Sequence, residues 1–441
     1  MPGFMVPERT RAMTKGSEGR KRRGRGRPPG TPTVVFLDDW KWHAFHQLAP
    51  PLRRAGIRTI RISTADLRRT HVGSRLLFDD YAILPKQHQR ENLLQILDGE
   101  AVVDIQFSES LASLVHEISG SLRPALAEHL RRRLFFMNKS SASRVFAQAG
   151  LRTPAGLVLQ GTSPQQVAAE IGFPLVVKPM VGCGGAGVVI VNDDAELRAA
   201  MSAAEHPEVL FCEKFIVGTK LDYGASVSAS GIEQEITYRV SQWQPPAGRA
   251  TEIETIDDPQ LRAFGRSIVA VAGCTGLVNM DVIRDNDGLD WLIDFNPRVF
   301  GSSGALRAAG MDISEGYLKA LGGRSDPPRS SEAPPGVRIE VFPTNLEQFV
   351  DEGSIARAAS AFLRESWPYL RWLGWRYWLS EALVTAMSIS SSRVGRTKAH
   401  SAVPAALPPD TRDGRRDTSL PAGGPGDVAA LGPAVRCITE G

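Results

Sequence analysis

The chain has 441 residues, 42% hydrophobic and 23% charged, which suits two or three domains rather than one core. Its net charge of +4 is uneven: residues 1–30 hold nine Lys and Arg against two Glu. The remainder is weakly acidic, which argues against a broad nucleic-acid-binding face on the body. Four cysteines, at 183, 212, 274 and 437, have no CxxC spacing. A disulfide framework and a zinc site are disfavoured, and a reducing cytoplasm is expected. No uncharged apolar run reaches the roughly 18 residues of a spanning helix, and the amino terminus lacks a signal-peptide core.

Residues 1–31, basic and rich in Gly and Pro, are expected to be disordered. Within them Arg23-Gly24-Arg25-Gly26-Arg27-Pro28 resembles an AT-hook, a weak argument for DNA, because basic low-complexity tails arise easily. From residue 32 to 133 the texture is α/β. Val34–Leu37, Ile57–Ile62 and Val102–Phe107 read as strands and His43–Arg54 as a helix, which predicts a small α/β domain with a parallel sheet. The first strand runs into Asp38-Asp39-Trp40 rather than a glycine fingerprint, so dinucleotide binding there is disfavoured. His43 and His46, one helical turn apart with no third ligand in sight, are expected to be surface histidines.

A second region, 134–324, opens with a helix over Ser140–Ala149 that stops at Gly150. Strand patterns then recur to Arg298, with helices at Pro164–Ile171 and Pro259–Val271; subdomains of about 155–216 and 217–324 are expected. Residues 325–336 read as a linker, 337–390 as a helical segment rich in Trp, and 391–441 as a disordered tail. Trp367, Trp372, Trp375 and Trp378, mixed with Arg371 and Arg376, allow two readings. The segment either docks on the body or, over 362–390, lies peripherally on a membrane.

The chemistry-bearing runs lie in the second region. Val176-Val177-Lys178-Pro179 precedes Gly182-Cys183-Gly184-Gly185-Ala186-Gly187, and Val188–Val191 follows. A Rossmann or P-loop reading needs a helix after the glycines, and a β-branched run stands there instead. A kinase would place its lysine on the next strand. What remains is a hairpin whose backbone amides can close over phosphates, with Lys178 entering from the strand before; an ordinary surface hairpin with an exposed lysine is the alternative. Further on, Asn279–Arg284 and Asp290–Asn296 flank Asp285-Asn286-Asp287-Gly288. A two-residue type I′ turn at Asp287-Gly288 sets Asp281 opposite Asp294, Asn279 opposite Asn296, Met280 opposite Phe295 and Val282 opposite Ile293. Opposed aspartates repel unless a divalent cation lies between them, and hard oxygen ligands suit magnesium. Arg298, two residues past Asn296, has the planar fork that suits phosphate oxygens. A merely polar hairpin face is the plainer reading.

In this order the motifs resemble the ATP-grasp superfamily, over about Val34 to Gly323, and Gln242–Ala247, Asp281 and Gly301–Gly310 look most like its carbamoyl-phosphate-synthase-like carboxylate–amine ligases. The resemblance implies an ATP-grasp fold, α/β and α+β, behind an N-terminal Rossmann-like domain. It assigns Lys139 and Lys178 to the phosphates together with Gly182, Gly184, Gly185 and Gly187. Glu213 and the backbones of Lys214 and Ile216 go to the base. Asp281, Asp294 and Asn296 go to two magnesium ions, with manganese as a substitute, and Arg298 to catalysis. Asp294 stands where the family has Glu, and Lys220 where it often has a ribose-binding Glu; Asp222 is the nearest substitute. The activity implied is ATP-dependent activation of a carboxylate as an acyl phosphate for attack by an amine, or a thiol, in a cytoplasmic homo-oligomer. A non-catalytic nucleotide-binding protein is the rival reading.

Overall fold

The computed structural model describes residues 28, 30–38, 43–64, 76–204, 209–243, 249–322, 330–351 and 354–392. The AT-hook-like run up to Arg27, most of the expected N-terminal tail and the tail from 393 onward lie outside them.

Short runs of consecutive apolar residues need cover on both faces, and the first sheet receives it. Strands β1 (Pro32–Asp38), β2 (Arg58–Ser63), β3 (Asp80–Ile83) and β4 (Ala101–Phe107) form a parallel sheet in the order β3-β2-β1-β4. Val34 and Phe36 of β1 pack on α1 (His43–Arg54), while Val35 and Leu37 face the opposite core. That core holds α2 (Gln89–Leu97), α3 (Ala112–Ser119) and α4 (Pro124–Met137). This is the buried parallel sheet expected of such strands. The order reverses between β1 and β4, so the carboxyl ends of those two strands open the crevice where ligands gather in such sheets.

The histidines of α1 are not on the surface. His43 and His46 are buried, and their Nδ1 atoms hydrogen-bond the two oxygens of Glu381 at 3.1 and 3.0 Å. The sequence gives no warning of this, because the helix that covers α1 lies more than 300 residues away.

A second sheet follows α5 (Lys139–Gln148). It contains β5 (Gly156–Val158), β6 (Leu175–Pro179), β7 (Val189–Val191) and β8 (Leu210–Lys214), antiparallel in the order β5-β8-β6-β7. Helices α6 (Pro164–Glu170) and α7 (Asp194–Ala203) cover one face through Val167 and Leu197. Ser163 and Asp193 cap them by accepting from free amides of the first turn.

The largest sheet is antiparallel: β9 (Gly218–Ser228), β10 (Gly231–Trp243), β11 (Ala250–Thr255), β12 (Gly276–Asp285), β13 (Asp290–Asn296) and β14 (Arg338–Glu340), ordered β13-β12-β9-β10-β11-β14. Helix α8 (Pro259–Ala272) packs on one face, so closely that a Cβ on Gly265 would meet the Tyr223 ring at 2.5 Å. Helix α9 (Ile313–Ala320) packs through Ile313 and Tyr317 into the core shared with α1.

The β12–β13 hairpin corrects the expected turn and confirms the expected pairing next to it. Gly288 is left-handed (φ 78°) and Asp287 is not, so the turn is not type I′. Asp285 and Leu289 close a three-residue loop, and Asp285 Oδ1 accepts from the amides of Asp287 and Leu289. That register would set Asp281 out of line by one. A bulge between Asp281 and Val282 restores it: Val282 pairs with Leu292, not Ile293, while Asp281 still pairs with Asp294 and Asn279 with Asn296.

Beyond α9 the expected linker is, from Ser330 on, a strap on the large sheet. The carbonyls of Ser330, Ser331 and Pro334 accept from Gln234, Glu235 and Thr255. The segment from 337 is not wholly helical, since β14 adds the sixth strand before α10 (Thr344–Asp351), α11 (Ile355–Leu373) and α12 (Trp375–Ser392). Tyr369, Leu373 and Tyr377 are buried in the core that contains α1, and Gln47 Nε2 donates to the Tyr377 hydroxyl at 3.1 Å. Among the described residues no helix is long and apolar enough to cross a membrane.

Candidate active site

Three structural pieces meet through Lys139 and Arg298. The first is the loop between β6 and β7. Its Gly184, Gly185 and Gly187 have φ of 62°, 74° and 71°, a left-handed conformation that side chains resist. A Cβ on Gly187 would also come within 3.0 Å of Pro179. The backbone therefore turns twice in succession, with Ala186 N–H donating to Cys183 and Val188 N–H to Gly185.

The second piece is the hairpin. Register places Tyr238, Asp222, Asp281 and Asp294 in one row across β10, β9, β12 and β13. Three carboxylates thus line one strip of sheet. Asp222 is buried and its Oδ1 has no hydrogen-bond partner among the described residues. Burial, and next the charge on Asp281, push its carboxyl up to about 8. Lysines hold the other two: Lys139 Nζ lies 3.0 Å from Asp294 Oδ1, and Lys220 Nζ lies 3.4 Å from Asp281 Oδ2. Burial works against the Lys139 charge, but Asp294, with Glu109 beyond it, raises the ammonium above its usual range. Among the described residues no three acidic, His or Cys side chains already converge on a metal position. The strip still fits a divalent cation, because it holds hard oxygen donors only, one of them an orphaned buried carboxylate oxygen.

Lys139 also joins the first two pieces. Its Nζ donates to the Gly182 carbonyl at 3.0 Å and its backbone amide to Met180 at 2.8 Å, so the start of α5 is tied to the glycine loop. Lys178 is not the exposed lysine of the surface-hairpin alternative. It is buried, with Nζ 2.5 Å from Glu213 Oε1 and 2.8 Å from the Ile293 carbonyl. Ile293 is the residue that the bulge leaves unpaired in the β12–β13 ladder. The irregularity that keeps Asp294 in register thus also presents a carbonyl to Lys178. Glu213 is raised by burial, with Lys178 opposing. The Lys214 amide already donates to Ala155, and Ile216 is half-buried in the link from β8 to β9.

The third piece comes from the N-terminal sheet and escaped the sequence reading. Glu109 lies in a 3-10 turn (Glu109–Leu111) directly after β4, at the crevice end, and its Oε1 accepts from Arg298 Nε. Arg298 is buried; it also donates to Asn296 Oδ1 at 3.1 Å and to the Val299 carbonyl at 2.9 Å. Burial and the Glu109 carboxylate push the Cys183 thiol up, which keeps it protonated and makes it a poor nucleophile. Position alone was the available signal for Glu109, an acid two residues past a parallel strand.

A Rossmann-like domain, a small antiparallel sheet with a glycine loop and a larger sheet bearing an acidic strip define an ATP-grasp architecture. A family model for the ATP-grasp domain matches residues 136–302. The chain is 28% identical over 238 residues to a D-alanine–D-alanine ligase of Nitrosospira multiformis, covering 49% of this chain and 74% of that one. For the enzyme of the same description in Stutzerimonas stutzeri the figures are 29% over 230 residues, 48% and 69%. Among solved structures it is similar to an ATP complex of carboxyaminoimidazole ribonucleotide synthase from Aspergillus clavatus. There the TM-score is 0.58 at 14% identity, over 77% of this chain and all of that one. Biotin carboxylase from Campylobacter jejuni gives a TM-score of 0.52 at 16% identity, covering 70% and 73%. These two show the fold. The match and the architecture together place an ATP-grasp domain at residues 136–302.

Proposed function

We propose that this ATP-dependent ligase activates a small-molecule carboxylate as an acyl phosphate and transfers the acyl group to an amine. A carboxylate oxygen attacks the γ-phosphorus of ATP and the bond to the β-phosphate oxygen breaks, releasing ADP. The amine nitrogen then attacks the acyl carbon, the C–O bond to phosphate breaks, and the nitrogen loses a proton. Such chemistry depends on neutralising the moving phosphoryl group.

Lys139, Lys178 and the amides of Gly182, Gly184, Gly185 and Gly187 would hold the phosphates, with Arg298 stabilising charge on the transferred group. Glu213, Lys214 and Ile216 would border the base. Asp281, Asp294 and Asn296 would hold two magnesium ions, replaceable by manganese, which supply charge neutralisation at the β- and γ-phosphates. The observation that carries the reading is the Lys139 bridge: one ammonium touches both the glycine loop and Asp294, the two places proposed for phosphate and metal. On ATP and metal binding Lys139 would exchange the aspartate for phosphate oxygens. A screen of carboxylic acids and amines for ADP release, with and without magnesium, tests the reading; magnesium-dependent release is expected only with a matched pair. ADP release that ignores both acid and metal would overturn it.

A further inference from the structure

Helices α11 and α12 bury one face on α1 and turn the other to solvent, and the exposed face has a distinct chemistry. Leu363, Trp367 and Trp375 are 70%, 63% and 59% exposed, among the most open large apolar side chains in the described residues. Leu363 and Trp367 are one helical turn apart, and Arg371 continues the same stripe. Arg364, Arg371 and Arg376 are exposed beside them, and Arg376 lies 5.6 Å from the Trp375 ring. The two acids of this stretch do not balance them. Glu381 is buried against His43 and His46, and Glu365 is mostly covered, between Arg364 and Asn345.

We propose that this face docks on an anionic phospholipid bilayer, lying in the interface without crossing it. Tryptophan prefers the headgroup boundary, where an apolar ring with a polar edge is at home. Arginines around it meet anionic headgroups, which attract basic side chains held close to such a surface. A second copy of the chain fits less well. A two-fold contact would set this basic patch against itself, with no exposed acid on α11 or α12 to pair it.

The test is co-sedimentation of the full chain with vesicles of phosphatidylcholine alone or of phosphatidylcholine and phosphatidylglycerol in equal amounts. The basic residues 1–27 also attract anionic vesicles, so the deciding readout is the effect of substitutions on the helices. Trp367→Ser with Trp375→Ser, and separately Arg371→Glu with Arg376→Glu, should each lower partitioning onto the anionic vesicles by about tenfold or more. Thermal melting should stay unchanged, because all four side chains are exposed. The arginine pair keeps the test alive if the tryptophan pair fails to fold. Equal partitioning of wild type and folded variants would overturn the proposal. So would a dimer, seen by light scattering, that dissociates in the tryptophan variant.

Discussion

Two buried aspartates in this molecule live in opposite circumstances. Asp104, on β4, receives five donors: Arg133 at 2.9 Å, the Ile105 amide at 2.7 Å, Gln106 at 2.7 Å, His129 at 3.3 Å and the Tyr317 hydroxyl. Burial alone would raise its carboxyl, but Arg133 and His129 hold it well below the usual range. Asp222, on β9, faces another carboxylate, keeps one oxygen without a donor among the described residues and is pushed up instead. A saturated carboxylate ties elements together, here the first sheet to α4 and α9. An unsaturated one beside like charge destabilises the empty fold and makes sense where a cation is to arrive.

The contrast can be broken from either side. The largest effect belongs to the acidic strip: Asp294→Asn should lower turnover at least about 100-fold while nucleotide binding survives, since the lysines and the residues proposed to border the base remain. ADP release and calorimetric ATP binding check the two halves, and full activity would place the metals elsewhere. Lys178→Ala should weaken ATP binding and also destabilise the fold by about 3–5 kcal/mol, because it leaves Glu213 buried without its cation. Denaturant unfolding separates this from a purely phosphate-binding role, which would leave stability unchanged.

Asp104→Ala should destabilise by a similar margin, about 3–5 kcal/mol, with no change in the chemistry of the protein that stays folded. The pH dependence has a definite sign. The folded carboxyl is depressed, so its stabilisation is complete above the ordinary carboxylate range and is lost as pH falls towards the depressed value. Unfolding free energy measured on acidification should therefore fall less steeply in the variant. The smallest effect is expected at Glu109→Gln. Arg298 keeps its contacts to Asn296 and Val299 but loses its charged partner, so kcat should drop by about 10-fold with ATP affinity retained. A parallel loss of ATP affinity would mean that Glu109 orders the whole cleft.

Local features were legible in the sequence and distant ones were not. The strands at 34–37, 57–62 and 102–107, the helix at 43–54 and the glycine loop follow from apolar runs and from residues that permit unusual turns. The Asp281–Asp294 pairing was reached through a wrong turn type, offset by a bulge the alternation of side chains could not reveal. Glu109 lies 189 residues from Arg298, and His43 and His46 lie 338 and 335 residues from Glu381. No periodicity records such contacts; they arise when the N-terminal sheet and its helix α1 close on the end of the large sheet and on the C-terminal helices.

The identity of the phosphorus products tests the central claim most directly. On the proposed reading, Lys178, Lys139, the glycine loop, the aspartate strip and Arg298 would gather charge for a moving γ-phosphoryl group. With a competent acid and hydroxylamine as the trapping amine, the account predicts ADP and inorganic phosphate in equal amounts, with one hydroxamate formed per ATP. AMP and pyrophosphate as the stoichiometric products would contradict it, because they require the acid to attack the α-phosphate.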